Sequence, residues 1–222
     1  MRARAGATRM AIACCLVLLG VIVPGPATGG EGPWVPFVAQ RISKTYRLSA
    51  TGKTLIGEES DLWLRDDQGS LYLRITPIFG AVPGAPEVVL LFDATTGSTY
   101  RIDYRSKTIR AQRGGQPVAA PLDAESFHSR RPRDRFIGRK TILGIECEGW
   151  RTVWAKSVAH PEGGSGGEEW VAPSLNFAPL ESVTIDLGIE VDIRMTEIEP
   201  GAKADPMFFQ LPQGFALGKV TP

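Results

Sequence analysis

Ile189-Glu190-Val191-Asp192-Ile193-Arg194-Met195-Thr196 sets apolar and polar side chains on strictly alternating positions. Successive side chains of an extended strand point to opposite faces of a sheet, so this stretch predicts a strand with one apolar and one wetted face. Leu71, Leu73 and Ile75 alternate with Tyr72 and Arg74 in the same way, and Tyr100 and Ile102 with Arg101 and Asp103. Thr51-Gly52-Lys53, Asp67-Gln68-Gly69-Ser70 and Thr96-Gly97-Ser98 each stand between two strand-like runs, at hairpin length. The pattern from Val38 to Phe208 implies a mainly β protein of about ten antiparallel strands. No segment holds a 3.6-residue period, and the one helix predicted is short: Leu122 to Ser129, with Asp123 as its cap. Ala111 to Arg135 contains Gly114, Gly115, Pro117, Pro121 and Pro132 and reads as a long irregular excursion between two sets of strands.

Ahead of the sheet, Arg2, Arg4 and Arg9 precede the apolar run Ala11 to Val23, which Pro24, Gly25 and Pro26 break before the small residues Ala27, Thr28 and Gly29. This order predicts a cleaved signal peptide over residues 1–29, cut after Ala27 or Gly29, with a single β domain over 30–222. The run is shorter than the roughly 20 residues that span a bilayer, so no transmembrane span is expected after processing. Cys14 and Cys15 lie inside the apolar run and not after it, which argues against lipidation. Cutting after Gly29 takes three positive charges and no negative one from a chain of formal charge +1, leaving −2. A nucleic-acid partner is not expected at that charge. Of three cysteines only Cys147 remains, without an intrachain partner in an oxidising compartment.

Candidate chemistry is sparse. Gly163-Gly164-Ser165-Gly166-Gly167 matches the nucleophile-elbow spelling, but no strand-to-helix turn surrounds it, and it reads as a flexible hairpin loop. His128 and His160 are expected in solvated loops, and neither has a second ligand-type residue at metal spacing. Cys147 is expected in a strand beside Ile145 and Val153, buried and inert. Glu146 and Glu148 share one strand face with Trp150, Thr152 and Trp154 and read as a solvated pair, not as glycosidase carboxylates. Trp63, Trp150, Trp154 and Trp170 read as packing residues. Neither a catalytic constellation nor a cofactor or metal site is expected. The densest charge is Arg130, Arg131, Arg133, Arg135, Arg139 and Lys140, a local basic patch suited to an anionic partner.

The order of punctuation also carries a resemblance. Trp63-Leu64-Arg65-Asp66 and Gly69 lead to Phe92-Asp93, Thr96-Gly97 and Thr99-Tyr100-Arg101-Ile102-Asp103. Leu143-Gly144-Ile145-Glu146-Cys147-Glu148-Gly149-Trp150-Arg151-Thr152, Glu169-Trp170-Val171-Ala172-Pro173 and Phe208-Phe209-Gln210-Leu211-Pro212-Gln213-Gly214-Phe215 follow. Over residues 36 to 216 this resembles a family of uncharacterised secreted bacterial proteins common in acidobacteria, which in turn resembles the LolA/LolB-like lipoprotein carriers. The resemblance implies an unclosed antiparallel barrel or curved sheet whose concave face carries lipid acyl chains, in the periplasm or outer envelope of a bacterium. Those carriers lay helices against the concave face, and the chain departs from that pattern by its short or absent helices. It leads us to expect an exported, non-catalytic protein that binds a lipid-like ligand against Leu71, Leu73, Ile75, Ile189, Val191, Ile193 and Met195. The other expectation is an envelope protein partner, docked through a sheet edge or the Arg130–Lys140 patch.

Overall fold

The computed structural model describes residues 33–79, 88–112, 121–153 and 166–218. The expected signal peptide, His160, Ser165, Trp154 and the middle of the excursion lie outside the described residues. The first six strands are β1 (Phe37–Ser49), β2 (Gly52–Arg65), β3 (Leu71–Phe79), β4 (Val88–Asp93), β5 (Ser98–Asp103) and β6 (Thr108–Gln112). A helix, α1 (Ala124–Ser129), precedes β7 (Arg135–Ile142), β8 (Ile145–Val153), β9 (Gly166–Ala172), β10 (Ala178–Asp186), β11 (Ile189–Pro200) and the short β12 (Ala216–Leu217). All twelve form one sheet in the order β12-β6-β5-β4-β3-β2-β1-β11-β10-β9-β8-β7. Two meanders meet where β1 pairs antiparallel with β11, and every pairing is antiparallel except β12 on β6. Among the described residues the terminal strands β7 and β12 do not pair with each other: the sheet is antiparallel, as the alternation implied, and curved and unclosed, as the resemblance implied.

Local chemistry explains the turns. Asp66 Oδ1 accepts from the backbone N–H groups of Gln68 and Ser70, Asp93 Oδ1 from Thr95 and Thr96, and Asp103 Oδ1 from Arg105 and Ser106. The bond from Ser106 leads the causes that hold Asp103 below the usual carboxylate range. Gly69 has φ +88, and a Cβ there would lie 2.5 Å from the Trp34 indole, so glycine serves both the turn and the packing above it. Asp123 caps α1 by accepting from Ser126 N–H, as its place in the sequence predicted.

Both faces of the sheet are buried in part. One apolar cluster crosses the strands through Phe37, Ala39, Trp63, Leu73, Ile75, Leu90, Met195, Leu180, Ala172, Cys147 and Ile142. The second holds Leu64, Tyr72, Val89, Leu91, Ile102 and Ile109, and the chain's own C-terminal segment covers it with Ala204, Phe208, Phe209 and Phe215. The Phe208 ring stands 5.0 Å from Tyr72, and β12 then lies parallel to β6 along the edge. The register shifts between Gln40 and Arg41, where β1 meets β11 near the centre, and between Pro179 and Glu181, where β10 meets β9.

Gly149 faces Trp170 across β8 and β9. A Cβ at Gly149 would stand 2.6 Å from the Trp170 ring and 2.8 Å from Ile137 Cγ1. Gly149→Ala is therefore expected to lose about 1–3 kcal/mol by overpacking, read as a lower urea midpoint with an unchanged m-value.

Three boundaries differ from the sequence reading. Gly166 and Gly167 belong to β9 and not to a loop, because β9 pairs as far as Ile185 on β10. The excursion is narrower than 111–135: Ala111 and Gln112 end β6, and Arg135 opens β7. The described residues hold twelve strands where about ten were expected: β7 carries the basic run 135–140, and β12 lies beyond Phe208.

Candidate functional site

The apolar residues singled out on β3 and β11 flank the two strands at the centre of the sheet. Leu73, Ile75 and Met195 are buried in the first cluster, with Leu71 half-buried against it. Val191 and Ile193 are also buried, and Ile189 is half-buried at the start of β11. Cross-strand register resolves this face into rows. Ile75, Asp61, Arg41 and Met195 form one, across β3, β2, β1 and β11. The next runs Glu59, Ser43, Ile193, Ser182, Glu169 and Trp150, and a third runs Gly57, Thr45, Val191 and Thr184. Apolar β11 thus stands between hydroxyl-bearing β1 and β10.

The first row holds an ion pair that sequence reading missed. Arg41 Nε donates to Asp61 Oδ2 at 2.7 Å, and Asp61 is 1% exposed. Its Oδ1 is buried without a hydrogen-bond partner among the described residues. Burial pushes the Asp61 carboxyl up, and the charge and hydrogen bond of Arg41 pull the other way without cancelling it. The Arg41 guanidinium also lies 5.4 Å from the Trp63 ring centroid.

Helix α1 covers the far end of the same face. Phe127 stacks on Phe177 at 4.0 Å between centroids, and the His128 ring lies 5.0 Å from Trp150, the last residue of the second row. The His128 side chain bonds Glu148 across 3.2 Å, and Arg131 binds Asp134 and Glu169. Two expectations are corrected here. His128 is not in a solvated loop but in the last turn of α1, and Glu148 is not solvated but buried, because α1 folds over it with Arg139 alongside.

The six cations do not form one free patch. Arg131 pairs with Asp134 and Glu169, Arg139 with Glu148, and Lys140 with Glu181 while lying over the Trp170 ring. Arg130 caps α1, and Arg133 and Arg135 are exposed. Strand pairing brings acids from β8, β9 and β10 beside cations that are consecutive only in sequence.

Cys147 is fully buried on β8, and burial pushes its thiol up to about 11. Cys147 should resist a thiol reagent in the native state at pH 8 and react in 6 M guanidinium. Native labelling at the rate of free cysteine would contradict that placement. Among the described residues no group of three or more His, Cys, Asp or Glu side chains could hold a metal ion.

These features define a class: an open, single-sheet β protein with a charged pair set into an apolar face. No protein-family model matches the chain, and no curated protein matches it in sequence. Solved structures do. An uncharacterized conserved protein from Thermus thermophilus is 10% identical, with a TM-score of 0.49 over 82% of this chain and 89% of that one. PNGF-II is 9% identical, with a TM-score of 0.41 over 81% of this chain and 31% of that one. The LolA superfamily protein NE2245 from Nitrosomonas europaea is 8% identical, with a TM-score of 0.33 over 81% of this chain and 92% of that one.

Proposed function

We propose that the chain is an exported, non-catalytic β protein of the bacterial envelope that binds an apolar or amphipathic, lipid-like ligand on the β3–β2–β1–β11 face of its open sheet. One observation carries this reading. Leu71, Leu73, Ile75, Val191, Ile193 and Met195 line both sides of that face, while α1, the one α-helix among the described residues, packs by its rings on Trp150 and Phe177. Leu73, Ile75, Val191, Ile193 and Met195 are buried within the fold, so the ligand enters by parting this face and keeps its apolar side chains out of water. The test is native mass spectrometry and lipid extraction on protein purified from its own envelope. A bound amphiphile is the expected result; a ligand-free monomer that excludes a lipophilic dye overturns the reading.

A second reading rests on β7, which ends the sheet with Phe136 47% exposed and Arg133 and Arg135 beside it. An edge strand can add a partner's strand by main-chain hydrogen bonding. Replacing Arg133 and Arg135 by glutamine should then abolish a pull-down partner with the thermal melt unchanged, and an unaltered partner set counts against it.

A further inference from the structure

We infer that Arg41 and Asp61 form the polar anchor of the ligand face and take the hydroxyl head of an uncharged long-chain amphiphile between Ile75 and Met195. This rests on the lipid-binding reading and adds to it the chemistry of the head group. The pair is joined by one hydrogen bond, Nε to Oδ2, and not by the two parallel bonds that an arginine and a carboxylate can share. The guanidinium therefore keeps its Nη donors and the carboxyl keeps Oδ1, an acceptor buried without a partner among the described residues. Donor and acceptor stand together in a row whose two ends, Ile75 and Met195, are themselves buried, so a head group reaches the pair by parting these side chains.

A group that fits this pair must give a hydrogen bond to Oδ1 and can accept one from Nη. A hydroxyl does both. An anionic head lacks the proton Oδ1 requires and meets a carboxylate as well as a guanidinium, so it gains little net attraction. An ester without a hydroxyl offers only acceptors and leaves Oδ1 unsatisfied, which is costly in a buried site. A water can bridge Nη and Oδ1 in the same way, and the amphiphile's hydroxyl takes its place while the attached chain covers the apolar residues beside the pair. The alkyl chain extends along the rows beyond the pair, where Ile193 and Val191 lie between Ser43, Thr45, Ser182 and Thr184.

The test compares three probes on the full chain after delipidation, each displacing a lipophilic fluorescent dye: 1-monooleoylglycerol, methyl oleate and oleate at pH 8. Monooleoylglycerol is expected to bind at least tenfold tighter than methyl oleate. In the Arg41→Met/Asp61→Leu double variant, and in the near-isosteric Asp61→Asn, that ratio should fall toward one. Equal affinity of the wild-type chain for monooleoylglycerol and methyl oleate overturns the anchor and leaves apolar binding standing. Tighter binding of oleate than of monooleoylglycerol also overturns it, because Arg41 would then be acting as a simple cation site. Failure of the dye and of all three probes to bind overturns the lipid-binding reading, and the anchor with it.

Discussion

Replacing Arg65 by methionine is expected to cost on the order of 3 kcal/mol and to lower the thermal midpoint by roughly 6–12 °C. Arg65 is 4% exposed and has no carboxylate in salt-bridge reach among the described residues. It instead donates from Nε to Val35 O at 2.9 Å and from Nη2 to Leu175 O at 2.8 Å and Asn176 Oδ1 at 3.3 Å. The Phe37 and Trp34 rings lie 4.6 and 5.4 Å from its Cζ. Burial lowers its pKa to about 9, which still leaves it charged at neutral pH. The side chain thereby ties the end of β2 to the lead-in of β1 and to the left-handed turn at Asn176, which also accepts from Val35 N–H. Methionine fills much of the volume but leaves Leu175 O buried without its donor. Arg65→Lys should not rescue, since an ammonium on a narrower stem cannot present the same fork to two carbonyls. Thermal melts by circular dichroism decide it: a midpoint within 2 °C of wild type for either variant would show that the contacts are incidental.

Asp61-Leu62-Trp63-Leu64-Arg65 explains why this centre was hard to read. Alternation puts Asp61, Trp63 and Arg65 on one face and Leu62 and Leu64 on the other, so the charged pair of positions reads as the wetted side. In the fold both sides are buried: Trp63 joins the first cluster, while Leu64 lies under the C-terminal segment. Periodicity assigns faces and cannot say how many of them another part of the chain will cover. Strand β11 was legible because its polar positions do remain wetter, with Arg194 exposed and Asp192 half-buried. The turns and the α1 cap were legible because their chemistry is local. The meeting of Arg41 with Met195 depends on pairing strands some 150 residues apart and on a bulge at Gln40, neither of which leaves a mark in sequence. The same long-range pairing dispersed the basic cluster, since its acidic partners sit on three other strands.

Arg41→Met alone is expected to destabilise the chain by about 3–5 kcal/mol at pH 7.5, because it leaves a buried carboxylate unpaired. Asp61→Leu should cost less, since the Arg41 side chain, 15% exposed, can turn its charge toward water. The double variant Arg41→Met/Asp61→Leu should return to within about 1 kcal/mol of wild type or exceed it, as replacement of a buried pair by apolar groups commonly does. The pH dependence fixes the origin of the loss. Asp61 has a folded pKa above its unfolded value even with Arg41 in place, so the folded form binds this proton more tightly. Stability from such a group is fully present below the unfolded pKa and is lost as pH rises through the folded one. Without Arg41 the carboxyl is pushed further up, so the deficit of Arg41→Met should be small near pH 3.5 and grow as pH rises toward neutrality. Urea unfolding of the four variants at pH 3.5, 5.5 and 7.5 completes the cycle. A deficit of equal size at all three pH values would locate the cost in lost packing against Trp63 and not in the stranded charge of Asp61.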